Sequence, residues 1–152
     1  MTEKPKPRTL SDDALSELLS RQQFGTLSTV KRSGHPHLTT MVYSWDPQAR
    51  IIRFSTTADR VKVAHLRSNP RAAVHVTGGD VWSFAVAEGE AEVSEVSTEP
   101  GDAVGRELLA MIPAAARPGP EDEEAFLAEL VAERRLVIRL KVSRLYGTAL
   151  DV

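Results

Sequence analysis

The chain has 152 residues, 41% hydrophobic and 26% charged, which is the size and composition of one globular domain and not of a disordered chain. It has no cysteine, which excludes a disulfide framework, a thiolate zinc site and a thiol nucleophile. Its formal net charge of −2 argues against nucleic acid as a partner.

Residues 1–10, with Pro5 and Pro7 set among charges, are expected to form a flexible tail ahead of a single domain over residues 11–152. Residues 1–8 are polar, without the apolar stretch of a signal peptide, and no apolar run is long enough to span a bilayer. A cytoplasmic protein with no membrane partner is therefore expected. Ser11 reads as a helix N-cap, with Asp12 and Asp13 in the first turn and Leu10 and Leu15 placed as a hydrophobic staple. The apolar positions Ala14, Leu15, Leu18 and Leu19 then predict a helix over 12–22.

Three segments of strand character follow: 24–30, 37–45 and 50–56, separated by turn signals at Ser33-Gly34 and Asp46-Pro47. In the second, Leu38, Thr40 and Val42 alternate with Thr39, Met41 and Tyr43. A short helix fits 59–68 and stops at Asn69-Pro70. Strands are expected over 72–76 and 82–96, joined by the turn Gly78-Gly79-Asp80, with a bend or bulge at Gly89. Helical patterns at 103–112 and 121–134 flank a proline-rich loop. A last alternating strand covers 136–142, with Arg139 and Lys141 turned away from its apolar side. The sum is a mainly β protein, a six-stranded antiparallel barrel, closed or split, with peripheral helices. A β-sandwich with added helices fits the same periodicity.

Chemistry concentrates in Ser55, Thr56 and Thr57 at a strand end, followed by Arg60 and Lys62 at a helix start. Free N–H groups, a partial positive charge and two cations suit a phosphate. A solvated basic helix face is the alternative. His35, His37, His65 and His75 lack a metal-binding spacing, so no metal is expected. The carboxylates at Asp12-Asp13 and at 121–124 sit at helix starts, where the macrodipole explains them. No Walker loop, G-x-S-x-G elbow or G-x-G-x-x-G is present. Trp82, Phe84 and Tyr43 could wall a flat ligand. Core packing suits Phe84 better, and a rim position suits Trp82.

The order of these pieces resembles a known family. Phe24-Gly25-Thr26-Leu27-Ser28-Thr29, Gly34-His35-Pro36-His37, Trp45-Asp46-Pro47 and Arg60-Val61-Lys62 come first. Leu66-Arg67, Asn69-Pro70-Arg71, the run from Trp82 to Gly89, and Arg134-Arg135 to Tyr146-Gly147 complete it. The chain is similar, over about 11–147, to the flavin-nucleotide split-barrel superfamily in its pyridoxamine-phosphate-oxidase-like branch. It most resembles the actinobacterial subgroup that uses the deazaflavin coenzyme F420. The resemblance implies a Greek-key split barrel and a homodimer with two sites at the subunit interface. It implies that Arg60 and Lys62 hold the cofactor phosphate, with hydrogen bonds from Ser55, Thr56 and Thr57. The segment His37, Leu38, Thr39, Thr40 and Met41 would run beside the ring system, and Trp82 would lie near it, across the interface. His65 departs from the family pattern, where an Asn often stands.

The activity so implied is hydride transfer from F420 to an unsaturated or conjugated small molecule, with the cofactor carrying the difficult step. An FMN-dependent oxidase or reductase, with FMN as the cofactor, and a non-catalytic cofactor-binding or redox-sensing protein are the alternatives. No catalytic residue is assigned. Tyr43 and His37 carry protons that such a reaction could use, and each equally suits strand packing. The 97–135 segment is expected to pack on the barrel and shape substrate access.

Overall fold

The computed structural model describes residues 4–150. Residues 1–3 of the expected tail and 151–152 of the expected domain lie outside the described residues. Helix α1 (Asp12–Arg21) starts where its cap signal places it: the Ala14 N–H donates to Ser11 Oγ at 3.2 Å. Its Leu15, Leu18 and Leu19 are buried.

The strands are β1 (Pro7–Thr9), β2 (Phe24–Val30), β3 (Pro36–Val42), β4 (Ser44–Asp46), β5 (Ile51–Thr57), β6 (Arg71–Thr77), β7 (Phe84–Val93) and β8 (Arg135–Leu150). They form one antiparallel sheet in the order β3-β2-β6-β7-β8-β5-β4, with β1 added along β8. The path begins and ends on strands that adjoin in the chain, since only Tyr43 separates β3 from β4. The sheet therefore curls back on itself, and the split in the barrel falls between β3 and β5. Phe54, Ile52, Leu136, Ile138 and Leu140, all fully buried, fill the interior against Leu19 of α1.

Four expectations are corrected. The barrel is built from eight strands rather than six. Part of the expected flexible tail is ordered: Pro7–Thr9 pairs with Thr148 to Leu150, and the Leu10 N–H donates to Gly147 O at 3.1 Å. The expected strand 37–45 is broken at Tyr43, which is 7% exposed and whose hydroxyl donates to Leu19 O at 2.6 Å. That inward turn ends pairing with β2 and starts pairing with β5. The last strand runs 16 residues, well past 142. The bulge stands beside Gly89 as expected, but its extra residue, Ser143, is on β8: Glu88 faces Arg144 while Gly89 faces Val142. A Cβ at Gly89 would collide with Lys141 O, so only glycine allows this approach.

Helices α3 (Ala103–Met111) and α4 (Pro120–Ala132) flank a short 3-10 turn, Ala114–Ala116. Asp102 caps α3, its Oδ1 accepting from the Gly105 N–H at 2.8 Å and the Ser97 hydroxyl at 2.9 Å. Burial opposes its charge, but these bonds and those from the Thr98 and Glu99 N–H groups bring its pKa down to about 2. Leu108, Leu127 and Leu130 pack on the outward side of β8 at Val137, as a second apolar cluster. Glu107 clamps α3 to the barrel, accepting from Arg53 Nε at 2.8 Å and from Arg139 Nε at 2.7 Å and Nη2 at 2.5 Å.

Candidate functional site

Strand β5 feeds helix α2 (Val61–Ser68) through Arg60, the N-cap residue, and no side chain caps this helix. Lys62 lies in its first turn and is only 6% exposed. Among the described residues its ammonium has no hydrogen-bond or ion-pair partner. Burial first, and the Arg60 charge second, lower its pKa. The stem is packed while the ammonium reaches the surface, so two cations stand side by side at a helix start, an arrangement that an anion would favour.

The neighbours are also basic. His37 on β3 and His65 on α2 meet edge to face, 5.2 Å between ring centroids. His65 Nδ1 lies 3.0 Å from the buried Thr29 hydroxyl, and Thr39 Oγ1 lies 3.4 Å from His37 Nδ1. Burial, and then the His65, Lys62 and Lys31 charges, lower the His37 pKa. Asp59, near Arg60 and Arg134, is held by the Thr57 hydroxyl at 2.5 Å; that bond, above all, lowers its pKa.

At the split of the barrel opens a cavity of about 620 Å³. Thr40 and Met41 of β3 and Ser55 of β5 form its floor, and Leu108, Met111 and Phe126 of α3 and α4 form its roof. At its polar end, Arg135 donates to Ser55 Oγ at 3.3 Å and to Glu133 at 2.6 Å. Both Arg135 and Glu133 also line a cleft of about 480 Å³ that contains Thr57, Asp59, Arg60 and Arg134. An apolar slot thus continues into a charged one, where three arginines outnumber the two carboxylates Asp59 and Glu133. That shape and polarity suit a flat ring system joined to an anionic group.

The eleven residues singled out from sequence do not all converge. Thr40, Met41 and Ser55 line the cavity, Thr57 and Arg60 line the cleft, and Lys62 sits beside Arg60 and His37. Strand alternation turns the Thr56 side chain into the barrel interior, 5% exposed, away from Ser55 and Thr57. The Leu38 side chain stands on the outer face of the sheet, 63% exposed, with Tyr146 and His75, and lines neither cavity nor cleft within one subunit. Trp82, 48% exposed, lies in the β6–β7 turn, where Asp80 Oδ1 accepts from its N–H at 2.9 Å, and it lines neither cavity nor cleft within one subunit. Tyr43 lines the cavity, but its hydroxyl is committed to Leu19, and burial raises its pKa far above the ordinary phenol value.

The sequence reading missed Arg135 as a site residue. Its signal is the β5–β8 register, which sets Arg135 opposite Thr57 across nearly eighty residues of chain.

Comparison with known proteins agrees with this architecture. The pyridoxamine 5'-phosphate oxidase family model matches residues 11–149. The F420H(2)-dependent biliverdin reductase of Mycobacterium tuberculosis is 29% identical over 140 residues, covering 92% of this chain and 89% of that protein. A crystal structure of a conserved hypothetical protein from Mycobacterium tuberculosis superposes with a TM-score of 0.72 at 23% identity, over 91% of this chain and 84% of that one. An F420 reductase structure does so with a TM-score of 0.62 at 23% identity, over 86% of this chain and 94% of that one. The two structural likenesses speak for the fold alone. The family match spans nearly the whole chain, split barrel and helical insert alike, and the chain belongs to the pyridoxamine 5'-phosphate oxidase family.

Proposed function

We propose that the protein is an F420-dependent oxidoreductase that passes a hydride to an unsaturated or conjugated small molecule, and that it works as a cytoplasmic homodimer. The observation that carries this reading is the pair Arg60 and Lys62 at an uncapped helix start: the Lys62 stem is buried, its ammonium has no partner among the described residues, and both stand beside the cleft that leads to the apolar cavity. Lys62 and Arg60 would hold a phosphate there, and Thr40 and Met41 would flank the ring. When bound, the deazaflavin supplies the hydride. The protein's residues fix its orientation, and α3 and α4 keep water from the ring. The choice of F420 over FMN leans on the biliverdin reductase relative, which is F420H(2)-dependent.

The second subunit is supported by the outer face of the sheet. Phe24, Leu38 and Val42 are 61%, 63% and 72% exposed, and a shallow depression among Leu38, His75, Val86 and Tyr146 lies beside them. Contiguous apolar surface of this kind marks an association site.

Titration of the apo-protein with F420 and with FMN, followed by turnover of conjugated substrates with reduced F420, tests the reading. F420 binding with turnover is expected. Preference for FMN moves the protein to the FMN-dependent reading, and binding of F420 without any turnover moves it to a non-catalytic one. Sedimentation of a monomer that still binds cofactor tightly would remove the dimer.

A further inference from the structure

A second cavity, of about 610 Å³, lies against the first. The two share Val42, Tyr43, Met111, Ile112 and Pro113, so this chamber opens on the far side of Tyr43. Its own walls come from the end of α1, from β4 and from the turn after α3.

The charges of this chamber are one-sided. Arg21 and Arg117 line it, and among the described residues no Asp or Glu does. Six other arginines stand against acids: Arg50 with Asp12, Arg53 and Arg139 with Glu107, Arg106 with Glu123, Arg135 with Glu133, and Arg144 with Glu88. Among the described residues, neither Arg21 nor Arg117 has an acidic partner. Arg117 is also held in place. Its Nε donates to Ile112 O at 2.8 Å and its Nη2 to Ala110 O at 3.1 Å, at the end of α3. Its Nη1 takes part in neither bond. A guanidinium fixed by carbonyls, with an edge left over, is a prepared donor for a carboxylate.

The remaining walls suit a flat partner. Trp45 lines the chamber, with its Nε1 anchored to Ser16 Oγ at 3.0 Å, so the ring is an immobile aromatic surface. Gln22, Gln23 and Ser44 add neutral polar groups.

We propose that this chamber is a substrate subsite for the carboxylate end of a planar, conjugated acid. The acid's unsaturated part reaches past Tyr43 and Met111 into the first cavity. The assignment rests on the reading above that the first cavity holds the redox cofactor, and it adds the substrate class. Arg21 and Arg117 bind the carboxylate, and Trp45 stacks on the conjugated portion.

Trp45 also supplies the assay, since Trp82 is the only other tryptophan. In a Trp82→Phe background without cofactor, trans-stilbene-4-carboxylate is titrated against Trp45 fluorescence, with its methyl ester as the uncharged control. The acid should quench Trp45 and bind about tenfold more tightly than the ester, the effect of one charge-assisted contact. Arg21→Gln and Arg117→Gln should each weaken the acid by a similar factor and leave the ester unchanged. Arg32→Gln, in the exposed β2–β3 turn, should alter neither. Melting curves check that Arg117→Gln has not loosened the turn, and Arg21→Gln carries the test if it has. Equal binding of acid and ester, or variants that bind the acid like the parent, would overturn the subsite. F420 titration of the same variants separates the two claims. Acid binding without F420 binding leaves the subsite standing and removes the proposed cofactor, and the converse removes only the substrate class.

Discussion

Two regions of the molecule use the same side chains to opposite ends. At α3, Glu107 stands between Arg53 and Arg139, each with a side chain about one-fifth exposed, and Arg139 also reaches Glu92 at 2.7 Å. Every charge there has an opposite. The hydrogen bond from Arg139 is the main cause of the lowered Glu107 pKa, with that from Arg53 adding to it against burial. At the start of α2, Arg60, Lys62, His37 and His65 gather around one nearby carboxylate, Asp59, which the Thr57 hydroxyl holds beside Arg60, and Lys62 has no acidic partner among the described residues. The first region is complete as folded. The second has a charge deficit that a bound anion would fill. The contrast teaches that buried cations mark a ligand site by the absence of their partner, not by their number.

The largest expected effect lies in the completed region. Glu107→Gln leaves two half-buried guanidinium groups short of charge-assisted bonds, each worth about 1.5–3 kcal/mol. A net loss of about 2–3 kcal/mol should lower Tm by about 4–12 °C for a domain of this size. Thermal unfolding measures it. An unchanged Tm would mean that the clamp is ornamental, and the contrast with α2 would lose its first half.

The mirror experiment is Lys62→Met. Cofactor affinity should fall about tenfold to a hundredfold, because one charge-assisted contact to the phosphate is gone. Stability should hold, since methionine keeps the packing of the buried stem and the lost ammonium has no partner among the described residues. Fluorescence titration with F420 and a melting curve read the two quantities. A drop in Tm comparable to that of Glu107→Gln, with affinity intact, would make Lys62 a structural residue.

Much of this was legible in sequence, and the rest was hidden for identifiable reasons. The Ser11 cap, the alternation of β3 and the glycine beside the bulge are local signals, and they placed those features correctly. The break at Tyr43 was not legible, because residue 43 continues the alternation of β3, and the change of pairing partner from β2 to β5 and the hydroxyl's acceptor, Leu19 O, are both distant in sequence. Strand β1 was lost behind Pro5 and Pro7, whose composition suggests a tail, while its pairing partner stands some 140 residues away. Thr56 was grouped with Ser55 and Thr57 as one hydroxyl cluster, although period-two alternation alone would have divided them. Arg135 and the second chamber depend on long-range register and on the docking of α3, which no local pattern encodes.

Tyr43→Phe sharpens the division between packing and chemistry at the cavity wall. The hydroxyl is buried and donates to Leu19 O, so its removal should destabilise by about 1 kcal/mol. Turnover per folded molecule should be unchanged, because the proton is already committed to that carbonyl. A variant that folds well and turns over much more slowly would return Tyr43 to the list of proton donors.

The smallest effect is also the one that tests the charge deficit most directly. In the free protein, burial and then the His65, Lys62 and Lys31 charges hold the His37 pKa below its ordinary 6.5. The groups facing it from β2, β3 and α2 are basic or neutral. Near and below pH 6.5 the unfolded chain binds more protons at this residue than the folded one, so stability should fall as pH drops through that window and level off below the folded pKa. An anion at Lys62 reverses the local field and draws the His37 pKa back up. Linkage then requires that anion binding take up protons, so cofactor affinity should rise as pH falls from about 7.5 to 5.5. The comparison is parent against His37→Gln, in the same buffers and with the same ligand, so that the ligand's own protonation affects both alike. The parent should gain affinity over the variant on the acid side, and the two should converge on the alkaline side. Parallel curves across the whole range would show that the anion binds out of reach of His37, and the cationic cluster at α2 would have to be divided into a binding part and a bystander.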